Sequence, residues 1–154
     1  TQAEDPKGTA QDEPGDRGAA RGGDHRPEAR DLGGKPGVRT HAAAQVALRE
    51  EMLGNLVALN EVLALIAAGK IKEAGAEAEA KLGVSAMGKH RSKPFDARPG
   101  PHMPPAMHGI GMDGHKAVSE FAAVAKTGDR DKALALLPNL MTACVACHYS
   151  YRTR

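Results

Sequence analysis

Between Thr1 and about Arg39 apolar residues are sparse and never periodic, while Gly, Pro and charged residues of both signs are interleaved. Such a segment cannot bury enough surface to offset the entropy of ordering it, so residues 1–39 are expected to form a disordered tail or linker. From Thr40 the pattern changes. Leu48, Met52, Leu56, Leu59, Leu63 and Ile66 recur at intervals of four, four, three, four and three. This spacing predicts a helix of about seven turns, capped at Thr40 and ending near Gly69. A second helix is predicted from Ile71 to about Met87, with Ile71, Ala74, Ala78, Leu82 and Met87 inward and Lys72, Glu73, Glu77, Glu79 and Lys81 outward. The short Gly69-Lys70 joint makes the two antiparallel.

Gly88 to Gly114 contains Pro94, Pro99, Pro101, Pro104 and Pro105 and reads as a long connection. A third helix is expected from about Met112 or Asp113 to Lys126, burying Val118, Phe121, Ala122 and Ala125. Thr127-Gly128-Asp129 closes it and caps a fourth, which carries Leu137, Leu140, Cys144, His148 and Tyr151 down one face. Pro138 either kinks that fourth helix or stands in the first turn of its main part, after a short turn from Asp129 to Leu137. Abundant Ala and little β-branched patterning agree with an all-α domain over residues 40–154.

Composition adds a constraint on the core. Aromatic residues make up 3 % of the chain, with no Trp and two Phe. These are few large side chains for an ordinary core of this size, and a buried prosthetic group would fill the deficit. The net charge of +2 is spread among both signs, so no basic stripe points to nucleic acid. No apolar run is read as approaching the roughly 20 residues of a membrane span. No charged-then-apolar leader opens the sequence, so a processed start is expected.

The most specific chemistry lies in Cys144-Val145-Ala146-Cys147-His148. A C-x-x-C-H run reads as a c-type haem attachment site, because two thiols add across the two haem vinyl groups and the following histidine ligates iron. On a helix, positions three and four apart share a face, so one turn supplies both tethers and the proximal ligand. A zinc site would need further cysteine or histidine ligands in a finger-like arrangement, and the chain has two cysteines only. A thioredoxin-like dithiol would need a βαβ setting, which the flanking sequence lacks. One covalent haem c is the expected cofactor.

The order of elements, with Cys144-Val145-Ala146-Cys147-His148-Tyr149-Ser150-Tyr151-Arg152 late in the chain and Arg49 and Met52 on the first helix, resembles the class II c-type cytochromes, the cytochrome c-prime and cytochrome c-556 family. The resemblance covers about residues 40 to 154. It implies an antiparallel four-helix bundle with haem between the first and fourth helices, a homodimer in many members, and redox proteins as partners. Haem attachment in similar systems takes place on the outer side of the bacterial cytoplasmic membrane, which implies a periplasmic, exported protein. Arg152, one turn past His148, is a candidate partner for a haem propionate, and Arg49 a second cofactor-side candidate.

The family divides on the sixth iron ligand. A first-helix methionine there makes an electron carrier, and an apolar residue leaves iron open to nitric oxide or carbon monoxide. Met52 on the seam is the preferred ligand, although the family's spacing from Arg49 selects Leu53 instead. The run Pro101-His102-Met103-Pro104-Pro105-Ala106-Met107-His108 departs from the family pattern. It makes Met103 and Met107 alternative ligands, or with His102 and His108 a copper site; otherwise its methionines are apolar cover. The expected function is one-electron transfer, without an acid/base pair or nucleophile to suggest an enzyme. The alternatives are a five-coordinate haem protein binding nitric oxide or carbon monoxide, and a copper-binding accessory protein.

Overall fold

The computed structural model describes residues 37–38 and 41–153, which belong to the compact unit Gly33–Arg154. The remainder of the expected tail, and the expected cap Thr40, lie outside the described residues. The described chain is all-α apart from one small ladder. Its elements are β1 (Gly37–Val38), α1 (Ala42–Ala67), α2 (Ile71–Leu82), α3 (Pro105–Thr127), α4 (Arg130–Ala135), α5 (Leu137–Ser150) and β2 (Arg152–Thr153). Gly37 and Val38, assigned from sequence to the tail, pair in parallel with Arg152 and Thr153.

The core forms where α2 and α3 pack together and α1 closes over α2. Phe121 and Val62 are fully buried, surrounded by Ala58, Ile66, Ala74, Ala78, Leu82, Val118, Ala125, Ala133 and Leu140. Alanine dominates because it lets helix backbones approach closely, so a core poor in aromatics still closes. The inward residues expected on the second and third helices are buried as predicted, except that Met87 lies beyond α2, which ends at Leu82. On α1 the expected seam is corrected. Leu48 and Ile66 are buried, but Leu56 and Leu63 are exposed, because the neighbouring helices meet the line of Ala58, Val62 and Ile66. The exposed stripe of α1 therefore holds Val46, Leu53, Leu56, Val57 and Leu63.

The proline-rich stretch is shorter than expected and well organised. Short 3₁₀ turns cover Phe95–Ala97 and Gly100–His102, and α3 begins at Pro105 rather than near Met112. Pro105 in the first turn supplies the helical φ and has no N–H to leave unpaired. Proline there starts a helix, where the sequence reading treated it as a breaker. His90 Nε2 lies 3.0 Å from Glu51 Oε2, tying the start of this connection to α1.

Gly128, at φ +86°, ends α3 in the left-handed region that suits glycine. Asp129 caps α4 by accepting from the Lys132 N–H at 3.1 Å. Only Leu136 separates α4 from α5, and Pro138 stands in the first turn of α5, the second of the two arrangements expected from sequence. Together α4 and α5 make a longer apolar stretch than the sequence reading allowed. Arg130–Ser150 makes a 21-residue stretch long and apolar enough by composition to cross a bilayer. It opens, however, with Arg130, Asp131 and Lys132.

The α2 end is joined to α3 by a polar corner. Ser119 Oγ donates to Glu79 Oε2 at 2.5 Å, Ser85 Oγ donates to Glu79 Oε1, and the Val84 N–H donates to Ser119 Oγ at 2.9 Å. The Ser119 hydroxyl, then the Ser85 hydroxyl, hold the Glu79 carboxyl below its ordinary value of 4.5. With the folded-state pKa depressed, the unfolded chain takes up this proton first as pH falls. The stabilisation is present above pH 4.5 and is lost as pH drops through the folded value. Thermal melts in acid are expected to show a steeper loss of stability for wild type than for Glu79→Gln, which is less stable at neutral pH and flatter below pH 4.5. Parallel pH profiles for the two proteins contradict this.

Candidate functional site

The run Cys144-Val145-Ala146-Cys147-His148 sits on the last two turns of α5. The placement of α5 depends on α3, because a Cβ at Gly114 would stand 2.9 Å from the Ala143 Cβ. Glycine at this point lets α5 lie close against α3 immediately before Cys144. The last turn is closed by the Tyr151 N–H donating to the Cys147 carbonyl at 2.9 Å, after which the chain becomes extended and enters β2.

Cys144 and Cys147 are free thiols one turn apart. Cys144 is exposed, Cys147 half-buried and His148 exposed. Burial of Cys147, and secondarily the neighbouring Cys144, pushes its thiol above the ordinary value of 9.0. The inner face of α5 is therefore Leu140 to Cys147, not the Cys144 to His148 line. Cys144 and His148 lie on the exposed side of the helix.

Beside Cys147 is a small second core. Leu48 of α1 and Met107 of α3 are buried, and Met52, Met103, Cys147 and Tyr151 pack against them. All three methionines proposed from sequence as iron ligands thus share one cluster with the inner cysteine. Leu53, the residue selected by the family spacing, is 64 % exposed and points away from it. Residues 52 and 53 differ by about 100° around the helix, which explains the exclusion. The Met/His run does not stay together: Met103 and Met107 join the cluster, His108 is exposed, and His102 stands with His41 and Asp96. Its methionines lie with the apolar cluster and its histidines do not. Sequence reasoning missed His41 and Asp96, since a histidine before α1 and an aspartate in a distant loop carry no spacing signal.

Of the two arginine candidates, Arg49 is exposed on α1. Arg152 is half-buried, and its Nε is buried without a hydrogen-bond partner among the described residues. A buried N–H of a permanent cation left unpaired is costly, and a carboxylate is the group that satisfies it. The donor types gathered here, two thiols one turn apart followed by an imidazole, beside a methionine-lined apolar cluster and the Arg152 guanidinium, suit the chemistry of a thiol-tethered, carboxylate-bearing group. Compared with protein-family descriptions, curated proteins and solved structures, the chain matches none.

In the haem-free chain, a thiol-reactive reagent at pH 8 is expected to label Cys144 well before Cys147, since burial shields Cys147 and keeps it in the less reactive thiol form. Peptide mass spectrometry over a time course reads the order. Equal rates, or Cys147 first, contradict the half-buried placement.

Proposed function

We propose that this chain is a periplasmic c-type cytochrome that transfers one electron at a time, built as an antiparallel four-helix bundle with one covalent haem c. The observation that carries the reading is the meeting of Cys147, in a C-x-x-C-H turn, with Met52, Met103 and Met107 in a single apolar cluster. A motif occurring by chance would have no reason to stand against three thioethers. Haem supplies an iron that accepts and returns one electron. The chain's own residues do the rest. Cys144 and Cys147 tether the group from one helical turn, and His148 offers an imidazole as proximal ligand. Met52 gives a soft thioether from α1, while Leu48 and Met107, both buried, keep water from that side. Arg152 pairs its orphaned Nε–H with a propionate, and the β1–β2 ladder fixes its backbone.

The same reading accounts for surfaces left bare. Val46, Leu53, Leu56 and Val57 form an exposed apolar stripe on α1, where a homodimer of the kind implied by the resemblance has material to bury. The three charged residues that open α4 favour a helix at a protein surface over one in lipid. The reading assigns electron transfer with redox proteins as partners and no catalysis by the chain alone.

The absorption spectrum of the ferric protein tests the role. It is expected to be low-spin, with the near-red charge-transfer band of methionine sulfur on iron, and Met52→Ala is expected to abolish the band, lower the reduction potential and admit carbon monoxide to the ferrous form. A band that survives Met52→Ala and vanishes in Met103→Ala or Met107→Ala moves the ligand within the cluster and keeps the role. A wild-type protein that is high-spin and takes up carbon monoxide readily overturns the carrier in favour of gas binding.

A further inference from the structure

We propose that His41, Asp96 and His102 form a binding site for one divalent transition-metal ion of the zinc and copper(II) class. The inference does not rest on the haem reading, since none of the three residues belongs to the cysteine–methionine cluster.

The three side chains come from separate stations of the fold. His41 directly precedes α1, Asp96 lies in the 3₁₀ turn Phe95–Ala97, and His102 ends the turn Gly100–His102. Their candidate ligand atoms all lie within 4.8 Å of one another. Tetrahedral zinc with bonds of about 2.0–2.1 Å places its ligands roughly 3.3 Å apart, so the exposed or half-exposed side chains need only small rotations to close on an ion. The rings of His41 and His102 already meet edge to face at 4.7 Å, and Phe95 braces His102 at 5.4 Å.

Two further observations point to a ligand. The Nε2 of His102 is 3.3 Å from the Phe95 carbonyl. An Nε2–H donated to that oxygen leaves the lone pair on Nδ1, and a backbone carbonyl behind the imidazole is the usual support of a metal-binding histidine. His41 stands at the N-cap of α1 yet makes no side-chain capping bond, so its ring is committed to the His102 side and not to the helix.

The donor set selects the ion. Two imidazoles and one carboxylate suit zinc or copper(II), whereas calcium and magnesium take oxygen ligands in larger number. Copper(I) prefers thioethers, and the neighbouring Met103 is turned into the apolar cluster. Three protein ligands leave a position for water, and the bound ion pins the proline-rich connection to the start of α1.

Isothermal titration of the tag-free chain, its two cysteines capped by cofactor or by alkylation so that they take no metal, with Zn²⁺, and separately with Cu²⁺, tests the site. Saturable binding of one ion per chain is expected for at least one of the two metals. Affinity is expected to fall about tenfold or more in His41→Ala, in His102→Ala and in Asp96→Asn, which keeps the side-chain shape, and to be unchanged in His108→Ala. The same metal is expected to raise the melting temperature of wild type and leave that of Asp96→Asn unmoved. Absence of saturable binding for both metals, or wild-type affinity in Asp96→Asn and His102→Ala, overturns the proposal.

Discussion

The approach of α5 to α3 decides where the chemistry of this chain stands. Because Gly114 presents no Cβ to Ala143, α5 lies close enough to α3 for Leu140 to enter the main core and for Cys147 to reach the cluster around Met107. Cys144 and His148, displaced around the same helix, are left exposed. One close contact therefore divides the motif into an inner thiol packed against the methionine-lined cluster and an exposed outer face. A bulkier residue at position 114 would shift α5 and separate Cys147 from Leu48, Met52 and Met103 together.

Much of this was legible in the sequence, and the failures have physical causes. Helices α2 and α3 declared their inner faces through Ala74, Ala78, Leu82, Val118, Phe121 and Ala125, because small and large apolar residues recur there at helical spacing. On α1 the same logic misled. Nearly every apolar position could belong to a seam, and the core selected Ala58 and Val62 over the larger Leu56 and Leu63, since tight helix packing rewards small residues. Pro104 and Pro105 looked like breakers, yet proline at a helix start is favourable, and extending α3 back to Pro105 is what carries Met107 into the cluster. Pro138 was read correctly as one of two arrangements, since a proline in the first turn of α5 leaves no N–H unpaired.

The candidate site was read at two levels. Cys144, Cys147 and His148 follow from spacing alone, because one helical turn fixes their relation. The choice among Met52, Met103 and Met107 depends on tertiary packing, and the packing gathers all three. Arg152 is distinguished from Arg49 only in three dimensions, by an N–H that burial leaves unpaired among the described residues. His41 and Asp96 were beyond sequence reasoning altogether, since only the folded chain carries the start of α1 to the turn that holds Asp96.

The central claim is that Cys144 and Cys147 hold haem covalently. Haem staining of the chain after denaturing electrophoresis, following expression alongside a cytochrome c maturation system, tests it most directly. The account requires a stained band for wild type and none for the Cys144→Ala, Cys147→Ala double variant. An unstained wild type, or full staining of the double variant, would contradict it.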